Sequence, residues 1–296
     1  MITRREMLAG FSATAAGLAK ARYAPVLAVQ AYVWQQQLAR EKRSFADGLP
    51  GIFESFASGG YHHAELTSLF VAPAVVARTA ALLKQHKLNL PIIYNGGAMH
   101  TEAEAQATIK QCIEVAVTAQ SLGAKALDVN CNPKPKQERK SDEELAVQAR
   151  AIDQLAREIH TRGMRLFIHQ HAPEMKENAR EWRHILAHTD PKLVEICFDV
   201  HWALRGGMDP MTLLRECGSR LGALHLRNSK NGVWLEDFSD GEVDYRAVAS
   251  HLKKTGFSGY LVVELACDKD TAITRPLPQS LKLSREYAEK VFEIHA

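Results

Sequence analysis

Short apolar runs alternate with longer amphipathic segments along almost the whole chain, and this alternation most limits how the chain can fold. Eight apolar runs have the length of a β-strand, and each is followed by a segment with helical periodicity. Alternating strands and helices form parallel βαβ units, and eight such units close into a barrel. The sequence therefore predicts an α/β protein with a single-domain (β/α)8 TIM barrel over residues 23–296.

The predicted strands are continuously apolar, as expected of barrel strands that are covered on both faces. They fall at residues 26–33, 61–66, 90–95, 124–130, 164–170, 194–199, 221–226 and 259–265. The predicted helices fall at residues 45–57, 73–87, 101–121, 141–162, 177–188, 209–217, 244–254 and 278–294. Ser141 has Glu144 three residues later, the pattern of a capping box at a helix start.

Length and composition narrow the class of protein. The 296 residues suit one barrel, which typically needs roughly 250, without a second domain. A formal net charge of +3 with scattered basic residues predicts no nucleic-acid partner. The five cysteines are far apart, so no disulfide framework is expected. The sequence has no GxGxxG, Walker or GxSxG motif, which argues against nucleotide cofactors and serine hydrolysis.

Four consecutive predicted strands end on side chains of the kind that bind metal ions. They are His169, Asp199, His225 and Glu264. Barrel enzymes carry out their chemistry at the carboxyl ends of the strands, so these side chains are expected to converge. A mixed oxygen and nitrogen set suits one divalent cation, Mn²⁺, Co²⁺, Zn²⁺ or Mg²⁺. We predict these four as metal ligands. His169 is chosen because it is expected at the depth of Asp199, and Glu174 in the following loop is the alternative to it.

Three residues are predicted to move protons. His171 lies two residues after His169 and so points to the same side of its strand. Histidine and carboxylate side chains are the commonest general acids and bases. The predicted catalytic residues are His171, Glu174 and Glu264.

Other polar and aromatic residues follow the remaining strand ends and are predicted to bind substrate. They are Glu65, Asn95, Asn130, His201, Trp202 and Arg227. Their donors and acceptors suit a molecule with many hydroxyls, and Trp34 and Trp202 supply flat faces for a sugar ring. The expected partner is a small sugar or keto-sugar.

The first residues predict a signal peptide. Residues 1–22 contain the pair Arg4-Arg5, then a weakly apolar stretch, then a small-residue cleavage site at Ala19-Lys20-Ala21. This order is typical of a bacterial twin-arginine (Tat) signal, which the Tat export machinery reads. The sequence thus predicts export to the periplasm. No other run approaches the length of a membrane span, so no stable membrane anchor is expected.

At these residues the chain resembles the sugar phosphate isomerase/epimerase superfamily, the xylose-isomerase-like TIM barrels. The resemblance covers about residues 25–290 and is most specific at residues 169–174 (HQHAPE) and 198–202 (FDVHW). The turn at Thr189-Asp190-Pro191 is similar to the inosose dehydratase-like branch.

The resemblance implies one divalent metal held by Glu, Asp, His and Glu at the ends of strands five to eight. Asp199, His225 and Glu264 fall on three of those positions, whereas His169 stands where the superfamily has Glu. In ketose epimerases that Glu and the last one form an acid/base pair. Because His169 replaces that Glu, the sequence is as compatible with an elimination reaction as with epimerisation.

Two functions of different classes remain open. The first is a metal-dependent sugar isomerase or epimerase, or a related keto-sugar or inosose dehydratase or lyase, acting by proton abstraction next to a carbonyl. The second is a non-catalytic periplasmic sugar-binding barrel, which the His169 replacement supports. The sequence does not specify the oligomeric state.

The predicted export can be tested by changing Arg4 and Arg5 together to Lys. The precursor should then remain in the cytoplasm, because the twin-arginine pair is the feature that the export machinery reads. Cell fractionation followed by immunoblotting measures the processed periplasmic protein. An unchanged periplasmic yield would refute the Tat assignment.

Overall fold

The computed structural model describes residues 22–295 and contains a closed parallel barrel. The strands are β1 (Val26–Gln30), β2 (His63–Thr67), β3 (Asn89–Gly97), β4 (Ala126–Cys131), β5 (Arg165–His169), β6 (Val194–Asp199), β7 (Leu221–Leu226), β8 (Ser229–Lys230), β9 (Val233–Trp234) and β10 (Tyr260–Val263). Neighbouring strands around the barrel follow the order β1-β10-β7-β6-β5-β4-β3-β2. Strands β8 and β9 form a separate antiparallel hairpin. The predicted (β/α)8 TIM barrel is confirmed.

Helices surround the barrel. They are α1 (Tyr32–Arg40), α2 (Phe45–Ser58), α3 (Val76–His86), α4 (Glu102–Ser121), α5 (Asp142–Thr161), α6 (Lys176–His188), α7 (Val200–Arg205), α8 (Pro210–Cys217), α9 (Tyr245–Thr255) and α10 (Leu277–Phe292). Their apolar faces and the outward-facing strand residues pack together into the main hydrophobic core. No helix within residues 22–295 combines the length and apolar character that crossing a membrane requires.

Two helices and the hairpin β8–β9 differ from the prediction. The first strand ends at Gln30 rather than at residue 33, because the chain turns there and α1 begins at Tyr32. The Gln30 side chain accepts a hydrogen bond from the Tyr32 backbone N–H in this turn. Helix α7 begins directly after Asp199 and has only six residues, so its period is too short to read from the sequence.

The predicted helix starts are confirmed. Ser141 Oγ accepts from the Glu144 backbone N–H at 3.2 Å, and Glu144 Oε2 accepts from the Ser141 N–H at 2.7 Å. At the start of α4 the Thr101 side chain accepts from the Glu104 backbone N–H at 3.3 Å, without the reciprocal bond of a capping box. Gly123 and Gly163 follow α4 and α5 with φ of 107° and 72°, a backbone region that favours glycine.

The barrel interior is layered. Its lower part is a separate cluster of buried, mainly apolar side chains from seven strands, namely Ala28, Ile92, Ala126, Phe167, Cys197, Ala223 and Val262. Alternate residues of a strand point to the same side, so the residues two positions further along also face inward. Those positions carry polar groups, among them Asp128 after Ala126, His169 after Phe167 and Glu264 after Val262. The functional side chains therefore stand on a packed apolar floor.

The cysteines lie apart, and all five have free thiols. Cys197 lies inside the barrel, and Cys267 is half-buried at the barrel mouth. The predicted Tat signal at residues 1–22 lies almost wholly outside the described residues.

We expect Ser141→Ala to lower the free energy of unfolding by about 1 kcal/mol, because the first turn of α5 loses a cap. Urea unfolding followed by circular dichroism measures the change. Ser121→Ala is the matched control, because the Ser121 hydroxyl only donates to the Thr118 carbonyl at the exposed end of α4. An equal decrease in the free energy of unfolding in the two variants would contradict the capping role of Ser141.

Candidate metal centre

The four predicted metal ligands come together at the carboxyl end of the barrel. One ligand atom from each of His169, Asp199, His225 and Glu264 lies within 4.8 Å of the other three, and all four residues are buried. His169 ends β5, Asp199 ends β6, His225 lies in β7 and Glu264 follows β10. The barrel thus assembles residues that are 95 positions apart in the chain, from 169 to 264. Their role as ligands stays a prediction.

His225 is the centre of this group. Its Nδ1 lies 3.0 Å from Glu264 Oε2, and its Nε2 lies 3.0 Å from Glu65 Oε2 on the opposite side of the ring. Asp128 Oδ2 is 3.7 Å from the same Nε2. The ring is fully buried, so three carboxylates surround one imidazole inside the barrel.

Strand register corrects the expected depth of His169. We predicted that His169 lies level with Asp199, but β5 pairs with β6 so that His169 is opposite Cys197, two residues earlier. Asp199 is instead opposite His225. The His169 ring still reaches the group, because its centroid lies 4.5 Å from that of His225.

Arg227 brings a permanent positive charge to the group. Its Nη2 donates to Asp199 Oδ2 at 2.5 Å and lies 3.2 Å from Glu264 Oε2. The guanidinium sits over the rings of Trp202 and Trp234, with its carbon 4.9 and 4.8 Å from their centroids. Cation–π contact and the two carboxylates together hold this side chain in one place.

The pKa values of the two carboxylates that contact Arg227 are shifted in opposite directions. Burial raises the pKa of Asp199 even though Arg227 acts in the opposite direction. Burial also works against the charged form of Glu264, but Arg227 and His225 outweigh it and lower its pKa to about 2. Glu264 therefore keeps its negative charge across the whole neutral range.

The pKa values of the three histidines are also shifted in different directions. Burial, reinforced by His225, His171 and Arg227, lowers the pKa of His169 well below its ordinary value. Burial also lowers the pKa of His171 to about 4, so its ring is neutral at pH 7 and can accept a proton. Burial opposes the charged form of His225, yet the acidic groups around the ring raise its pKa well above the usual range.

A cavity of about 440 Å³ opens above the group at the barrel mouth. His171 and Glu264 line it together with three of the predicted substrate-binding residues, Asn130, Trp202 and Arg227. Its other lining residues are Gln30, Tyr32, Gln36, Tyr94, Trp234, Cys267 and Asp268. Polar groups beneath flat aromatic faces can bind a molecule with several hydroxyls.

Three predicted substrate-binding residues lie elsewhere. Asn95 points outward and donates to Cys112 Sγ of α4 at 3.3 Å, because its neighbour Tyr94 occupies the inward face of β3. Glu65 is fully buried against His225, where it orients the ring rather than a substrate. His201 is fully buried and its Nε2 contacts Ser229 Oγ at 2.8 Å, so it supports the hairpin β8–β9.

Glu174 does not join the four clustered ligands. Its Oε2 accepts the His171 backbone N–H at 3.1 Å, so it shapes the loop after β5. Burial raises its pKa to about 8, which is a consequence of its position behind this loop. The geometry favours His169 over Glu174 as the fourth ligand.

Sequence reasoning missed Asp128 and Trp234. Asp128 is a charged residue in the middle of a strand, two positions before Asn130, and period-two alternation would have placed both inside the barrel. No comparable signal marks Trp234, because it lies in a hairpin after β7 that only the tertiary structure brings over the mouth. Trp34, expected to face a sugar, is buried in the core instead.

The donor set fits a divalent cation. The buried acidic side chains around the centre are Glu65, Asp128, Asp199 and Glu264, and the basic ones are Arg227 and His225. If all six were ionised, two negative charges would remain uncompensated in a dry interior, at a cost of several kcal/mol. A divalent cation bound to a neutral His225 ring would, together with Arg227, offset three of the four carboxylates, and burial raises the pKa of the fourth, Asp128, well above its usual range, which favours its uncharged form. Glu65 would then accept from His225 Nε2 and leave Nδ1 free for the metal.

Comparison with known families points to the same class of barrel. Residues 53–290 match the sequence profile described as xylose isomerase-like TIM barrel. An inosose dehydratase from Geobacillus kaustophilus is 30% identical over 148 residues, which cover 44% of this chain and 47% of that protein. An inosose dehydratase from Clostridium tetani is 24% identical over 168 residues, covering 51% and 56%. The matched region therefore spans about half the length of these relatives.

Solved structures share the fold over almost their whole length. A sugar phosphate isomerase/epimerase from Parabacteroides distasonis has a TM-score of 0.70 at 16% identity, covering 96% of this chain and 98% of that chain. A D-psicose 3-epimerase with D-tagatose from Clostridium cellulolyticum has a TM-score of 0.72 at 12% identity, covering 91% and 100%. Identities this low show the barrel fold alone.

We expect His169→Ala to weaken binding of Mn²⁺ or Co²⁺ by at least ~10-fold, because even outer partners of a metal site typically contribute ~10–100-fold. Isothermal titration calorimetry on metal-stripped protein measures the affinity. Glu174→Gln is the matched control on the same loop and should bind the cation as the unmodified chain does. If Glu174→Gln weakened cation binding and His169→Ala did not, Glu174 would be identified as the ligand.

Proposed function

This chain belongs to the xylose isomerase-like TIM barrel family, and on that premise we propose that it is a metal-dependent enzyme acting on a keto-sugar or inosose. The reaction is proton abstraction from a carbon next to a carbonyl, followed by isomerisation, epimerisation or loss of a neighbouring hydroxyl. The single observation that carries this proposal is the meeting of His169, Asp199, His225 and Glu264 beneath the mouth cavity.

The metal, when bound, polarises the substrate carbonyl and stabilises the negative charge that develops on its oxygen. His169, Asp199, His225 and Glu264 would hold it. Mn²⁺, Co²⁺, Zn²⁺ and Mg²⁺ are all compatible with a nitrogen and oxygen donor set. The choice among them stays open in this proposal.

His171 is placed to take the proton. It lines the cavity, its ring packs edge-on against Trp202 at 5.5 Å, and burial keeps it neutral. Glu264 lines the same cavity as a permanent carboxylate and can serve as the second acid/base group. Arg227 adds a fixed positive charge beside them, which favours an oxyanion in the substrate.

Several features favour a sugar-like substrate. Asn130 accepts from the Tyr94 hydroxyl at 2.6 Å and donates to Asn132 Oδ1 at 3.0 Å, so the cavity wall carries ordered polar groups. Trp202 and Trp234 form an edge-to-face pair with centroids 5.1 Å apart. Their ring faces suit the apolar side of a sugar ring.

Dehydration is a finer proposal within this class. The inosose dehydratases among the relatives support it, although they match this chain over only about half of their length. The histidine at position 169 supports it as well, because a second carboxylate base is missing from the end of β5. A site with one neutral base and a Lewis acid is sufficient to eliminate a hydroxyl.

We also propose that the protein acts in the periplasm after Tat export. The twin-arginine pair and the following apolar stretch support this location. Free sugars, keto-sugars or inositols would then be the substrates, rather than sugar phosphates.

The competing function is a periplasmic sugar-binding barrel without catalysis. The same cavity and aromatic faces would serve it. Turnover distinguishes the two, since a binding protein would show sugar affinity but no exchange of substrate protons.

We expect the metal-loaded protein to exchange the proton next to the carbonyl of a keto-sugar or inosose with D₂O. His171→Gln should reduce this exchange by ~10²–10⁴-fold, the usual contribution of a general acid or base. Proton NMR of a panel of keto-sugars and inososes measures it. His160→Gln, on the exposed end of α5, is the matched control and should keep full exchange.

No exchange with any member of the panel, together with measurable sugar affinity, would favour the binding protein. Equal exchange in His171→Gln and the unmodified chain would remove His171 from the mechanism.

A further inference from the structure

A second set of four potential ligands lies beneath the proposed catalytic group. It consists of Asp128, His169, Cys197 and His225, and one ligand atom of each lies within 4.8 Å of the others. All four residues are buried, and Cys197 belongs to the apolar floor of the barrel. Two of the four, His169 and His225, are shared with the upper group.

Asp128 indicates that this lower set lacks a component. Both of its carboxylate oxygens are buried without a hydrogen-bond partner, and the residue is fully shielded from solvent. A buried carboxylate without partners is expensive unless it is protonated or bound to a metal. His169 Nδ1 and Glu65 Oε1 are also buried without partners. Unsatisfied atoms thus lie on two members of this set, Asp128 and His169, and on Glu65, which contacts His225 Nε2.

The two faces of His225 separate the two sets. Nδ1 faces Glu264 of the upper group at 3.0 Å, whereas Nε2 faces Glu65 at 3.0 Å and Asp128 at 3.7 Å below. A neutral imidazole has one lone pair, so it can bind a cation through only one of these nitrogens at a time. The two positions share His225 and are therefore alternatives, because the ring can bind a cation at only one of them.

We propose that the barrel contains a second, deeper metal position, formed by Asp128, His169, Cys197 and His225 Nε2, that selects thiolate-preferring cations such as Zn²⁺. Zinc commonly takes four ligands drawn from Cys sulfur, His nitrogen and carboxylate oxygen. Mg²⁺ and Mn²⁺ prefer oxygen-rich sites and remain in the upper position, which contains no sulfur.

The charges of the deep position balance. When the cation binds, the Cys197 thiol, the His225 Nε2–H and a protonated Asp128 carboxyl release their protons to solvent, and the resulting thiolate and carboxylate together neutralise a divalent ion. His169 and His225 bind as neutral rings. A cation and ligand set without net charge is what a solvent-free interior favours.

The deep position has a consequence for the upper one. With a cation on Nε2, the proton that remains on His225 is the one on Nδ1, which is donated to Glu264. The upper group then loses a ligand, so a soft cation opposes loading of the catalytic position. The preference of the Cys197 thiolate for soft cations would thus determine which of the two positions a metal ion occupies.

The test uses Co²⁺ added to the metal-stripped full-length chain. Cobalt bound by a thiolate has an intense near-ultraviolet absorption that cobalt bound by nitrogen and oxygen alone does not have. We expect this band at one Co²⁺ per chain, and we expect Zn²⁺ to abolish it by displacement. The readout requires no substrate and no turnover, so it is independent of the proposed reaction.

Single-residue variants identify the cysteine that gives rise to the cobalt–thiolate absorption band. Cys197→Ser should abolish it and weaken Zn²⁺ binding by at least ~10-fold. Cys267→Ser is the matched control, because Cys267 is the thiol that lines the mouth cavity, and it should keep the band. Asp199→Asn removes a ligand of the upper group alone and should also keep it.

Co²⁺ that binds the unmodified chain without a thiolate band would overturn the proposal, whether or not Cys197→Ser folds. Loss of the band in Cys267→Ser rather than in Cys197→Ser would do the same, because it would place the cation at the mouth.

Discussion

The site depends on the burial of His225 between carboxylates. Hydrogen bonds at 3.0 Å on both ring nitrogens tie β7 to Glu65 of β2 and to Glu264 after β10. An imidazole is the one side chain that can present a donor or a lone pair at either of two opposite edges. The orientation of this ring therefore determines which carboxylates are compensated and on which side a cation can bind.

Arg227 complements this ring at the barrel mouth. It holds Asp199 and Glu264 together and stands against the faces of Trp202 and Trp234. The hairpin that carries Trp234 is fixed in turn by the contact of Ser229 with His201 and Glu242. Asp199, Glu264, the two tryptophan rings and the hairpin β8–β9 are thereby joined in one connected network of contacts.

The barrel supplies the rigid frame for these contacts. Its apolar floor, with Phe167 and Val262, blocks the interior from below, so the polar layer is open to solvent only at the carboxyl ends of the strands. Water exclusion strengthens every charge interaction in that layer and shifts the pKa values of its histidines and carboxylates in opposite directions. Burial keeps His171 neutral by lowering its pKa, whereas Arg227 and His225 lower the pKa of Glu264 against the effect of burial and keep it ionised.

The sequence alone determined the architecture and the principal ligand candidates, because apolar period and strand-end position are local properties of a chain. Eight alternating units required a barrel, and a barrel requires that the ends of β5, β6, β7 and β10 meet. His169, Asp199, His225 and Glu264 could be named on that basis before any contact was known.

Only the tertiary structure decided how each side chain is used. Asn95 and Glu65 were both predicted to bind substrate, yet Asn95 faces α4 and Glu65 supports His225, since the pleat and the register set the direction of each residue. His169 was the predicted fourth ligand with Glu174 as the alternative, and the loop geometry keeps Glu174 out of the clustered ligands. Trp234 reaches the site on a hairpin that only the tertiary structure brings over the mouth, whereas the alternation of β4 already indicated that Asp128 faces inward.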